Sequence, residues 1–125
     1  MQFKKLFGVF NITTANVVDT FLSVIISKDM ELDALADVYS KKLDGIIIDQ
    51  KRKGLSYGGG TFKISYYTEK YFYLSFELYF QDKKGEWVKK NAKSKPQNTE
   101  YLNDKALSEL RGKKKIVYEI DEQIS

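Results

Sequence analysis

The sequence contains no cysteine and no histidine among its 125 residues. The absence of cysteine excludes disulfide bonds and thiolate nucleophiles and is compatible with a reducing compartment. Without either residue type, a histidine general base and the zinc sites built from nitrogen and sulfur ligands are excluded as well. Catalysis would need carboxylates, lysine, tyrosine or serine, and the carboxylates are scattered along the chain. We therefore expect no enzyme activity, no metal and no cofactor.

Proline and long apolar runs are also scarce. The single proline, Pro96, argues against long disordered linkers. The segment from Leu6 to Ser27 has only one charged residue, Asp19, but its asparagines and threonines make it too polar for the roughly 20 apolar residues of a membrane span. No signal-peptide cleavage site follows it. We expect one globular domain over residues 1–125, located in the cytoplasm and without membrane attachment.

Two segments before residue 29 have helical periodicity. Apolar residues at helical spacing predict a short amphipathic helix in the first ten residues, packed on the core or, alternatively, lying on a membrane surface: Phe3, Leu6, Phe7 and Phe10. Thr13 or Thr14 is then expected to cap a second helix, whose apolar stripe is Val18, Phe21, Leu22 and Ile25. The β-branched content of this segment leaves a strand open.

A longer helix is indicated between the acidic residues near Asp29 and the basic run Lys51–Lys53. One helical face stays apolar throughout, through Leu32, Leu35, Ala36, Tyr39, Leu43, Ile46, Ile47 and Gln50. Gly54 and Leu55 then suit a left-handed cap and its hydrophobic contact. The alternative is a helix that ends at Leu43, followed by a turn at Gly45 and a short strand over Ile46–Ile48.

From Thr61 the apolar period changes to two, which predicts strands. Phe72, Leu74, Phe76, Leu78 and Phe80 form one apolar face, and the turn Asp82–Gly85 leads into a third strand around Glu86 to Lys90. Thr99 is expected to cap a helix that ends at Gly112, before a final strand with Ile116 and Tyr118 inward. The order of elements predicts an α+β fold: N-terminal helices packed on one face of an antiparallel sheet of about four strands, made of a three-strand meander, a helix and the last strand.

The glycine-rich stretch Gly58–Gly60 is the only segment that resembles a ligand loop. A phosphate loop precedes a helix, so that backbone amides at the helix N-terminus face the anion. Here the glycines follow a helix and precede a strand, and no Lys-Ser or Lys-Thr pair comes after them. A tight turn, a bulge or a mobile lip is the favoured interpretation, and ligand binding stays open.

Aromatic residues opposite the apolar face, together with the glycine-rich stretch, form the candidate binding site. We expect a partner surface that contains Tyr67, Tyr73 and Tyr79 on this face, Trp87 beside them, and Tyr57 from the glycine-rich stretch. Tyrosine and tryptophan are favoured anchors of protein interfaces, although tyrosine is also an ordinary strand residue. The sequence thus predicts a small non-catalytic protein that acts through contact with a protein partner, as an inhibitor, an immunity or anti-defence protein or an accessory subunit. Whether it is a homo-oligomer stays open.

The alternative hypothesis is binding of single-stranded nucleic acid. Aromatic rings beside cations hold single strands by stacking and phosphate attraction, and the net charge of +4 permits such a partner. The cations that would follow the phosphates are Lys63, Lys83, Lys84, Lys89, Lys90 and Lys93. Lysines also protect edge strands against pairing, so a solvated hairpin explains the same run.

Overall fold

The computed structural model describes the backbone of Thr13–Ala15 and residues 29–121. The amphipathic helix predicted for the first ten residues and the stripe from Val18 to Ile25 lie outside the described residues. Thr13–Ala15 forms strand β1, which pairs in parallel with a later strand. The predicted helix cap at Thr13 or Thr14 is therefore wrong, because the backbone of both threonines belongs to a strand ladder.

Helix α1 is continuous from Leu32 to Arg52, which confirms the single long helix and excludes a strand over Ile46–Ile48. Its buried face is the predicted one: Leu32, Leu35, Ala36, Tyr39, Leu43, Ile47 and Gln50. Gly45 lies on the exposed side, and a side chain there would meet no atom within 4 Å. The helix therefore tolerates this glycine because it faces solvent and leaves the packed stripe intact.

The C-terminus of α1 has the two hydrogen bonds of a Schellman motif. The Leu55 amide donates to the carbonyl of Gln50, at 3.1 Å, and the Gly54 amide donates to that of Lys51, at 3.0 Å. Gly54 has φ of +93°, which glycine adopts without a Cβ clash, and Leu55 packs against the core. The basic segment before Gly54 is thus a helix terminus, as predicted.

The sheet contains the predicted antiparallel meander of β2 (Ser56–Tyr66), β3 (Tyr71–Gln81) and β4 (Trp87–Lys93). A short strand β5 (Gln97–Asn98) also pairs with β3. The strand order is β1, β4, β3, β2 and then the final strand, so β3 is central. All pairings are antiparallel except that of β1 with β4. The hairpin turn is closed by Asp82, whose carboxylate accepts from the amides of Lys84 and Glu86.

The last two elements are α2 (Asp104–Lys113) and β6 (Lys115–Glu119). The side chain of Asn103, rather than Thr99, caps α2 by accepting a hydrogen bond of 2.7 Å from the Ala106 amide. Thr99 begins a short 3₁₀ helix instead. Gly112 does not end the helix: the left-handed position falls two residues later, on Lys114, with φ of +67°. The helix therefore continues one residue beyond Gly112, to Lys113, which the sequence did not predict.

The core lies between the inner face of the sheet and the two helices. The five apolar residues of β3 are at most 1% exposed, and the ring of Tyr39 on α1 stacks on Phe62 of β2 at 5.6 Å. From α2, Ala106 and Leu110 join the same cluster. The α+β architecture with an antiparallel sheet is confirmed. None of the helices in the described part of the chain is long and apolar enough to cross a membrane.

Gly45→Ala should stabilise the protein by about 1 kcal/mol, because alanine removes the helix penalty of glycine at an exposed site. Gly54→Ala is the matched control and should destabilise it, since φ of +93° disfavours any Cβ. Both effects are measured as the free energy of unfolding in urea. Destabilisation by Gly45→Ala would contradict a continuous, solvent-facing helix at this point.

Candidate binding surface on the outer face of the sheet

The outer face of the sheet is the one that points away from the helices. Directly paired residues of neighbouring strands share a face, so the register assigns each side chain. Thr61 pairs with Glu77, Lys63 with Ser75, and Ser65 with Tyr73, all on the outer face. β4 adds Trp87, Lys89, Asn91 and Lys93, and β6 adds Lys115, Val117 and Glu119. The end of this face near Trp87 and the end near Tyr73 differ in how their side chains pack.

The glycine-rich stretch belongs to one end of this face and is part of β2, which begins at Ser56 rather than at Thr61. Tyr57 pairs with Phe80 and Gly59 with Tyr79, so Gly58 is the extra residue of a β-bulge. A Cβ on Gly58 would overlap the six-membered ring of Trp87, whose Cη2 atom would be 2.8 Å away. The glycine therefore leaves the space that the Trp87 ring fills, and the bulge interpretation is confirmed.

Trp87 and Tyr79 are buried at this end, with 6% and 2% of their surfaces exposed. Their predicted outward orientation is right, but their predicted accessibility is wrong, because alternation specifies a face and not what covers it. The Tyr79 hydroxyl donates to a carboxylate oxygen of Glu77 at 3.0 Å. Burial, and then this carboxylate, raise the pKa of the Tyr79 phenol. As placed, neither ring is available to a partner.

Tyr57 lies on the inner face of the sheet, which corrects its predicted place in the partner surface. Its register partner is Phe80, an inner-face residue, and the two rings pack at 5.5 Å. Its hydroxyl donates to the carbonyl of Ile120. The bulge at Gly58 makes Tyr57 part of the core, because one extra residue reverses the alternation before it.

The opposite end of the outer face is more accessible, since Tyr67, Tyr71 and Lys93 are exposed there and Tyr73 and Lys63 are half-buried. We call Tyr67, Tyr71, Tyr73, Lys63 and Lys93 the tyrosine–lysine surface. Its first and third rings lie 4.9 Å apart at an interplanar angle of 54°. The Lys93 ammonium lies 4.2 Å from the centroid of the Tyr73 ring, a cation–π geometry. Partial desolvation, and then neighbouring Tyr67, raise the pKa of the Tyr73 phenol.

Two apolar contributors to this end were missed by the sequence reasoning. Tyr71 is 41% exposed and Val117 is 48% exposed, and with Tyr67 at 55% they are the exposed large hydrophobic residues of the described chain. The signal for both was the strand alternation. Tyr71 is two residues before Tyr73 in β3, so the alternation places both side chains on the outer face. Val117 lies between the inward residues Ile116 and Tyr118, so its side chain points outward.

The lysines predicted for nucleic acid do not form one track. Lys63, Lys89 and Lys93 lie on the outer face, but Lys90 pairs with Leu78 and lies on the inner face. Lys83 and Lys84 are in the hairpin turn, and the Lys83 side chain approaches Gly54 at the end of α1. Only Lys63 and Lys93 are close to the exposed tyrosines, because consecutive residues of a strand alternate between faces.

Comparison with known proteins adds no functional assignment: the sequence matches no protein-family model, and neither curated proteins nor solved structures yielded a match. Over residues 29–121 and 13–15 there is no group of three or more acidic side chains placed to hold a metal ion. Two shallow cavities in the described residues are lined by α1 together with residues near α2 or at the end of β6, and neither includes Tyr67, Tyr71 or Tyr73. The tyrosine–lysine surface is therefore the candidate site.

Gly58→Ala should destabilise the protein by about 1–3 kcal/mol, because the new methyl group overlaps the Trp87 ring. Gly112→Ala is the control, since a Cβ there meets nothing within 4 Å. Combining Gly58→Ala with Trp87→Leu should cost clearly less than the sum of the two single effects, as measured by chemical unfolding followed by circular dichroism. Additive effects would show that the ring does not occupy this space.

Stability should fall as the pH rises above 10. Burial raises the pKa of Tyr39 from 10.0 to about 12, so the folded state keeps a proton that the unfolded state releases. This contribution is complete below pH 10 and is lost as the pH rises toward 12, at a cost on the order of 2 kcal/mol. Urea unfolding of wild type and Tyr39→Phe across this range isolates it from the lysines. Equal alkaline slopes for the two proteins would refute the role of Tyr39.

Proposed function

We propose that the protein is a non-catalytic binding protein of the cytoplasm that contacts a protein partner through the tyrosine–lysine surface. The observation that carries the proposal is the pair formed by exposed Tyr67 and half-buried Tyr73, whose rings lie 4.9 Å apart, with the Lys93 ammonium over the Tyr73 ring. Rigid aromatic side chains cost little conformational entropy on binding, and they dominate the energetics of protein interfaces. An inhibitor, an immunity or anti-defence protein or an accessory subunit would act in this way.

The charges around the tyrosines favour an acidic partner. Lys63 and Lys93 flank the paired outer-face position Ser75, and Lys115 lies beside Ser65 on the neighbouring strand. The nearest outer-face carboxylates, Glu77 and Glu119, are in the next row of side chains across the sheet. A carboxylate of the partner would meet cations beside an aromatic anchor, where electrostatic complementarity speeds association and sets orientation.

Binding of single-stranded nucleic acid is the second candidate, and the same lysines beside Tyr67 and Tyr73 favour it. Two features favour protein over nucleic acid. One face of the Tyr73 ring is occupied by Lys93, which leaves less ring surface for a stacked base. In addition, Lys90 lies on the other side of the sheet, so the chain offers no continuous basic groove along the tyrosines.

Tyr73→Ala and Lys93→Ala should weaken the partner complex, the first by about tenfold or more, with only a small change in melting temperature. Lys105→Ala, on the exposed side of α2, is the matched control and should bind like wild type. Each protein is immobilised and exposed to cell extract with and without nuclease treatment. The protein retained from the treated extract is then purified and titrated against wild type and the three variants.

Retention that does not depend on Tyr73 or Lys93 would refute the proposal. Retention that disappears with nuclease would point to nucleic acid instead. Fluorescence anisotropy with labelled single-stranded RNA and DNA at low and physiological salt decides that case, because phosphate contacts weaken steeply with salt. Absence of binding at low salt would exclude the second candidate.

A further inference from the structure

Strand β6 forms one edge of the sheet, and no described strand pairs with its outer side. It is short and begins with a lysine, Lys115, but it lacks the other usual devices that protect an edge from pairing with another chain. It contains no proline, its register with β2 has no bulge, and its inward side chains, Ile116 and Tyr118, are apolar rather than charged. Val117, at its centre, is 48% exposed.

The backbone hydrogen bonds show which residues face the open side. The Tyr66 amide donates to the Lys114 carbonyl and the Ile120 amide donates to the Gly60 carbonyl, at 2.7 and 2.9 Å. In an antiparallel pair, residues bonded to the neighbouring strand alternate with residues that are not. Lys115, Val117 and Glu119 therefore direct their amide and carbonyl groups outward, away from β2.

The side chains of these three residues are self-complementary. If a second β6 pairs antiparallel about a two-fold axis at Val117, each Val117 lies opposite the other. Lys115 of each copy then lies opposite Glu119 of the second copy, on the outer face of both. Shifting one strand by two residues places Val117 opposite Lys115 or Glu119 and removes both Lys115–Glu119 pairs, and a shift by four opposes Lys115 with Lys115 or Glu119 with Glu119. An in-register parallel pairing also opposes like charges, so the antiparallel register centred on Val117 is the one that pairs Lys115 with Glu119.

The residues around β6 are also basic at its N-terminal end and acidic at its C-terminal end. Arg111, Lys113 and Lys114 precede the strand, and Asp121 follows it. The groove at its C-terminal end is lined by Asp37 and Asp44 of α1 together with Glu119 and Asp121, with Lys41 as the cation. An antiparallel two-fold places the basic end of one copy against the acidic end of the other, which makes the arrangement electrostatically complementary.

We infer that the protein forms a two-fold homodimer by antiparallel pairing of β6 with β6 of a second copy, which joins two sheets into one. The occupant of this edge is a second copy because the register centred on Val117 pairs the Lys115 and Glu119 side chains of each copy with those of the other. The dimer does not depend on the tyrosine–lysine surface, since Tyr67, Tyr73 and Lys93 take no part in the pairing.

Charge reversal provides the test. Lys115→Glu and Glu119→Lys each place like charges opposite one another twice in the dimer. Each should therefore raise the dissociation constant of the homodimer by roughly tenfold or more at low salt. An equimolar mixture of the two variants should form a heterodimer, because each then carries the charges that the other requires. The double variant Lys115→Glu/Glu119→Lys should dimerise like wild type. Sedimentation velocity over a series of micromolar concentrations measures all of these.

Val117→Pro provides an independent test, because it removes the central outward amide but leaves the hydrogen bonds to β2 intact. It should abolish the dimer, and its melting temperature shows whether the monomer still folds. Lys105→Ala is the control for charge removal away from the edge. A wild-type monomer at every concentration would overturn the inference. So would single charge variants that dimerise as well as wild type, since these would place the interface elsewhere.

Discussion

The register of β3 is the constraint on which both faces of the sheet depend. This central strand pairs with β2 on one side and with β4 and β5 on the other, and its inward side chains are nearly inaccessible to water. Burying a large apolar side chain stabilises the fold by about 1.5–3 kcal/mol, and a slip by one residue would move all of them to the outer face. Because neighbours in register share a face, β3 also determines that Lys63, Tyr73 and Lys93 meet on the outside.

Glycine, which has no side chain, makes the two ends of the outer face different. The closed end contains Gly58 and the buried Trp87, and the open end is the tyrosine–lysine surface. At the closed end, Gly58 lets the ring of Trp87 pack directly on the backbone of β2. A bulge and three glycines weaken a strand, because glycine loses the most backbone entropy on folding. The large aromatic surface of Trp87 offsets part of that cost. The tyrosines of the open end have no such glycines opposite them and remain exposed.

Local periodicity was sufficient for the elements and insufficient for their exposure. The stripe from Leu32 to Gln50 and the alternation in β3 predicted α1, the meander and the inner face, because both patterns report directly on which side is buried. The burial of Trp87 could not be predicted, since its ring fills the space left by Gly58 in the bulge, and alternation alone gave no signal for the burial of Tyr79. The positive φ of Lys114 could not be predicted either. Glycine is the usual residue at such a position, and the nearby Gly112 therefore indicated an earlier end of the helix.

The open edge and the open end of the outer face lie on adjacent strands, which relates binding to assembly. β6 pairs with β2, and β2 carries Lys63 and leads into Tyr67. The two-fold axis of an antiparallel strand pair is perpendicular to the sheet, so pairing through β6 keeps both outer faces on one side. Two tyrosine–lysine surfaces would then flank the junction of a continuous sheet. Such an arrangement suits a partner with two acidic sites, because the second contact forms at a high effective concentration once the first is made. A modest surface on one small chain would thereby gain avidity without any additional contact residues.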